Sequence, residues 1–168
     1  MEEFDFSERL ERSREVSEIF DLVKESVREA LGRSRAGLML GLSPLGFTPT
    51  GFIGAYHQVG SNLIVMNSSL LQKISAEKPE MLKYYTYHLL LHEYLHSLGI
   101  VDEARTRTIT YIVSKESFGE GHIVTEIAEN FEKFLPNLKY PQQEFQPPDQ
   151  AHITLVPGFD REGTNYIG

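Results

Sequence analysis

The sequence predicts an α+β fold, in which a short, largely antiparallel sheet packs on a buried helix and on further helices. Three observations lead there. Apolar residues recur at helical spacing through residues 13–31, and glycine-punctuated apolar runs of strand length fill 37–67. A third segment, 79–99, is apolar on nearly every face, as a helix inside a core must be. At 168 residues the chain is long enough for one domain with its own core.

The elements follow in order. Val16, Ile19, Phe20, Val23, Val27, Ala30 and Leu31 mark a packing helix. Gly37 to Leu42 reads as a strand, Phe52 to Gln58 as another, and Gly60-Ser61 turns the chain into a third, Asn62 to Asn67. His57 falls in this hairpin and reads as a surface or packing residue. A short helix follows Ser68, and Pro79 opens the central helix. Gly99 ends that helix as a C-cap glycine, and Asp102 caps the next, which runs to about Lys115 or Ser117. After a break at Phe118 to His122, a last helix carries Ile123, Ile127, Ala128, Phe131 and Phe134 on one face. Residues 1–135 therefore form the domain. Residues 136–168 read as a proline-rich extended arm with one strand-like patch, Ile153 to Val156.

Composition narrows the function. The formal net charge is -8 with no basic block, so neither nucleic acid nor an anionic membrane is a favoured partner. No apolar run approaches the ~20 residues of a membrane span. The first residues are acidic and polar, unlike a secretory signal, and a cytoplasmic location is the expectation. Without cysteine there is no disulfide framework and no thiolate nucleophile, and any metal site must be built from His, Asp and Glu.

The central helix carries such groups: His88, His92, Glu93 and His96. Ionisable side chains on a buried helix need a reason to be there. His92-Glu93-Tyr94-Leu95-His96 is an H-E-x-x-H pattern. Residues four apart share a helix face, so both imidazoles can reach one Zn2+ ion. Glu93, beside the first ligand, is placed to take a proton from a water activated by the metal. His88 extends the stripe by a turn and reads as a support or a packing residue. A catalytic zinc of this kind takes a third protein ligand. Asp102, six residues after His96, and His122, between glycine turns and the last helix, rank together for it. Glu103 ranks behind them, its other role being a favourable charge at a helix N-terminus. Tyr94 and Tyr111 could offer hydroxyls to an oxyanion, and Arg105 and Arg107 could hold a substrate carboxylate or pair with Glu103.

The segment His92 to Asp102, HEYLHSLGIVD, resembles the active-site helix of the zincin metallopeptidases. Its extended form, H-E-x-x-H-x-x-G-x-x-D, is similar to the metzincin signature as snapalysins carry it, with Asp as third ligand. The resemblance implies a zinc metallopeptidase with His92, His96 and Asp102 as ligands and Glu93 as general base. It also implies an edge strand within 51–67 that pairs with an extended peptide substrate. No methionine follows Met81, so the metzincin Met-turn is missing and the likeness is to a minimal zincin.

Two other readings remain. Zincin-like endoribonucleases carry H-x-x-x-H-x-x-G-x-D-H, and this chain shares the His pair and the glycine but lacks the final His. A non-catalytic domain in which zinc supports the fold is the other. The strand-like patch of the arm could dock in the cleft, where it would inhibit, or on a partner; otherwise it is a disordered tail.

Overall fold

The computed structural model describes residues 5–46, 51–136, 138–139 and 152–159. Two N-terminal helices, α1 (Phe6–Arg12) and α2 (Val16–Leu31), lead into strands β1 (Met39–Ser43), β2 (Phe52–Ile53), β3 (Ala55–His57) and β4 (Leu63–Asn67). Helix α3 (Ser68–Glu77) and a 3-10 turn at Pro79–Met81 precede the central helix α4 (Leu82–Ser97). Helices α5 (Glu103–Phe118), α6 (Ile123–Glu129) and α7 (Phe131–Phe134) follow, then the short strands β5 (Leu138–Lys139) and β6 (Thr154–Leu155). The fold is mixed α+β, with seven helices and a four-stranded sheet among the described residues. No helix among them is long and apolar enough to cross a membrane.

The sheet runs in the order β3-β4-β1-β6. β3–β4 and β1–β6 are antiparallel, but the central pair β1–β4 is parallel, and so is the separate pair β2–β5. The expected largely antiparallel sheet is thus a mixed one. The tight turn at Gly60 (φ +85°) dictates the direction of β3 against β4. The direction of β1 is left to the long connection 44–62, about which local turn chemistry says nothing. The expected strand 52–58 is cut at Gly54 into pieces that belong to two different sheets. A Cβ there would lie 3.0 Å from Leu89 Cδ2 and 3.1 Å from Leu138 Cδ1, so glycine lets α4 approach. The expected last helix also divides, at Asn130 (φ -150°, ψ 75°), into α6 and α7.

Helix α4 is buried along most of its length, as its all-round apolar sequence implies. It packs against α2, α5 and α6 and against β3 and β4 of the sheet. Leu40, Ala55, Ile64 and Met66 join its leucines in the core. Its C-terminal carbonyls are satisfied from the loop before β1. Arg33 donates to Leu98 O, and Arg35 Nη1 donates to Ser97 O at 2.7 Å. Of the arm that begins at residue 136, the described parts fold back on the domain. β6 pairs with the edge of β1, and Val156 N–H donates to Leu40 O at 2.9 Å. Phe159, 2% exposed, stacks on Phe20 at 4.2 Å, and Phe20 meets Tyr94 of α4 edge-on at 5.5 Å.

Candidate metal centre

The last two turns of α4 bring His92 and His96 onto one face, with ring centroids 4.8 Å apart and planes at 82°. Leu98 N–H bonds back to the helix, Gly99 (φ +98°) turns the chain in a conformation that side chains disfavour, and Ile100 N–H reaches Leu95 O at 3.2 Å. That turn delivers the first residue of α5 to the histidine pair. Glu103 Oε2 lies 3.1 Å from His92 Nε2, and Oε1 lies 2.7 Å from His96 Nε2. One ligand atom from each of His92, His96 and Glu103 falls within 4.8 Å of the others.

Asp102 and His122, ranked first from the sequence, are not part of this group. Asp102 Oδ2 accepts from Arg105 N–H at 3.0 Å and caps α5. A residue at the cap folds its short side chain over its own helix, whereas the longer Glu103, one position on, reaches across to α4. His122 caps α6, with Nδ1 accepting from Val124 N–H at 3.1 Å and Nε2 beside Ser7 Oγ at 3.2 Å. Its ring packs on Phe118 at 4.8 Å. Tyr94 also points elsewhere, since its hydroxyl accepts from Arg35 N–H at 2.8 Å beneath the loop that covers the helix end. Arg105 is exposed, and Tyr111 lies in a shallow groove with Arg107, whose guanidinium stands 4.8 Å above the Phe131 ring. His88 is buried one turn before His92, as a packing or supporting residue would be.

The protonation pattern follows from burial and from these contacts. Burial pushes the pKa of His92 down to about 4, against the pull of Glu103. Burial also opposes the charge on His96, but the hydrogen bond to Glu103 and the charge of Glu93 prevail and raise its pKa. His96 Nδ1 donates to Ile100 O at 2.7 Å, which leaves Nε2 facing the centre. Burial works against the ionised Glu103 as well, yet the bonds to both histidines hold its pKa down at about 2. Glu93 differs from all of these. It is 1% exposed, and neither carboxylate oxygen has a hydrogen-bond partner among the described residues. Burial pushes its pKa up to about 8; the charge of His96 draws it down and that of Glu103 drives it further up.

Two imidazoles and one carboxylate are a donor set that could hold a divalent metal ion. Donor atoms on a tetrahedral ion with bonds of ~2.0–2.1 Å sit roughly 3.3 Å apart. The three ligand atoms here lie within 4.8 Å of one another, so the donor set fits such an ion once its atoms draw together. Glu103, placed behind Asp102 and His122 from the sequence, is the carboxylate that joins the histidine pair. The available signal was its place in the first turn of a helix that returns along α4 directly after a glycine turn.

No protein-family model matches the chain, and neither a curated protein nor a solved structure matches it.

Proposed function

We propose that the protein is a zinc-dependent metallopeptidase, with His92, His96 and Glu103 as metal ligands and Glu93 as general base. The observation that carries this reading is the buried Glu93 carboxylate, left without a partner beside a His–His–Glu donor set. A fold does not keep an unpaired carboxyl in its interior for stability, because such a group opposes folding. Groups of this kind gather at sites where a reaction uses them. Zinc held there would lower the pKa of a water toward neutrality, polarise a carbonyl oxygen and favour the ionised form of Glu93.

The chain's own residues divide the remaining work. Glu93 takes a proton from the attacking water and passes it to the departing amide nitrogen. Ile100 O holds His96 in the orientation a ligand needs, through the Nδ1–H bond. Glu103 is a quarter exposed at its side chain and His96 about a tenth, so the centre opens to solvent on the α5 side while His92 and Glu93 close it from within. β3 ends the described sheet, and its outer edge is suited to pairing with an extended peptide.

The test is hydrolysis of a peptide library by zinc-loaded protein, with a structured RNA assayed in parallel. Peptide cleavage should vanish on chelation and return with zinc. Glu93→Gln should retain stoichiometric zinc and lose about 10²–10⁴-fold in kcat. Cleavage of RNA but not peptides, or full activity in Glu93→Gln, would overturn the reading.

A further inference from the structure

We infer that His57 is a substrate-binding residue of the same site, whose Nδ1 accepts a hydrogen bond from an amide N–H of the bound ligand. The inference rests on the metal-centre reading above and adds the chemistry of what binds beside His96.

His57 closes the edge strand β3. Its cross-strand partner is Ile64, and Ala55, two residues earlier, faces Met66. Ala55, Ile64 and Met66 all belong to the core that α4 shares, so the alternation of a strand puts His57 on the face of the sheet that carries α4. The turn at Gly60 brings Ser61 back to the ring, and His57 Nε2–H donates to Ser61 O at 2.7 Å. The same carbonyl accepts from Arg35 Nη2 at 3.2 Å, and Arg35 Nη1 donates to the carbonyl of Ser97, the residue after His96. These bonds tie the imidazole to the last turn of α4.

Burial lowers the pKa of His57; the bond to Ser61 opposes this, and the charges of Arg35 and His96 add to the lowering. The ring is neutral, and with Nε2 engaged as a donor its Nδ1 is an acceptor. That atom is buried and has no hydrogen-bond partner among the described residues. The two Glu93 oxygens are buried acceptors in the same condition, and Glu93 and His57 both act electrostatically on or with His96. Acceptors that lack donors are completed by a ligand that brings N–H or O–H groups. A peptide does so at every residue. The guanidinium of Arg35 next to His57 favours a neutral amide N–H over an ammonium group.

The pair acetohydroxamic acid and N-methylacetohydroxamic acid tests this, because both chelate zinc and only the first carries an N–H. Their dissociation constants are measured by calorimetry on zinc-loaded protein. The wild type should bind the N–H compound about tenfold more tightly. His57→Gln keeps a side-chain nitrogen where Nε2 donates to Ser61 but places no acceptor where Nδ1 stood. It should bind both compounds equally with zinc stoichiometry unchanged. His57→Phe, a ring without either nitrogen, should do the same. Equal binding of the two compounds by the zinc-loaded wild type, or a preference that survives in either folded variant, overturns the inference alone. Failure of the wild type to take up zinc overturns the metal reading, and this inference falls with it.

Discussion

Glu93 gives the metal-free protein a pH dependence whose sign follows from burial. A carboxyl with a pKa near 4.5 unfolded and about 8 folded keeps its proton in the native state while the unfolded chain loses it. The contribution of Glu93 to native stability is therefore fully present below pH 4.5 and is lost as pH rises toward 8, by about 1.4 kcal/mol per unit. Gln at this position does not titrate. The stability gap between Glu93→Gln and wild type, both stripped of metal, should widen from pH 4.5 to 8 and stay flat below. Urea unfolding at a series of pH values measures it, and parallel profiles would contradict the burial argument. His88 and His92 work in the opposite sense, since burial lowers both pKa values, to about 3 and about 4, and native stability is lost as pH falls below 6.5. Both proteins share that effect, so it cancels in the comparison. Two adjacent carboxylates can also be told apart. Glu103→Ala should weaken zinc binding at least tenfold, about 1.4 kcal/mol, in competition with a chromogenic chelator. Asp102→Ala should leave zinc affinity intact and lower stability by about 1 kcal/mol through loss of the α5 cap. The reverse outcome would restore Asp102 as the third ligand.

Among the elements, helices were the more legible from sequence. The spacing of α2, the proline before α4 and the glycine after it place three boundaries within a few residues of where they fall. These signals are local, because a helix satisfies its own backbone. Strands were legible as segments but not as partners. Nothing within 37–42 states that β1 will lie parallel to β4, and nothing in 52–58 states that Gly54 divides it between two sheets. The turn at Gly99 is the element on which the candidate centre depends. An alanine forced to φ near +98° is strained, so Gly99→Ala should lower stability by about 1–2 kcal/mol. A drop of roughly 2–8 °C in melting temperature is expected. Because the same turn delivers Glu103, zinc affinity should fall as well. A variant that loses stability with unchanged zinc affinity would separate the turn from the site.

Over the molecule as a whole, the described chain beyond Leu135 reaches the core at two residues. Leu138 and Phe159 are both buried, and Phe159 links through Phe20 to Tyr94 on the central helix. β6 sits at the edge of the sheet opposite β3, so the described arm does not cover β3. Gly41 permits this docking, for a Cβ there would lie 2.4 Å from Ile153 Cγ2. Phe159→Ala should destabilise the protein by about 3–5 kcal/mol, read by chemical denaturation. An autoinhibitory arm would behave otherwise, with activity rising when its anchor is removed and stability little changed.

The sequence by itself determined the α+β class, the buried helix and the placing of His92, Glu93 and His96 together on that helix, because helical periodicity converts spacing along the chain directly into neighbouring positions. Only the tertiary structure decided that Glu103 joins the pair while Asp102 and His122 cap helices, and that His57 stands beside the end of α4. Those assignments depend on how one element crosses another. The crossing angle is set by turns such as Gly99 and by packing across the sheet, which leave no periodic mark in the order of residues.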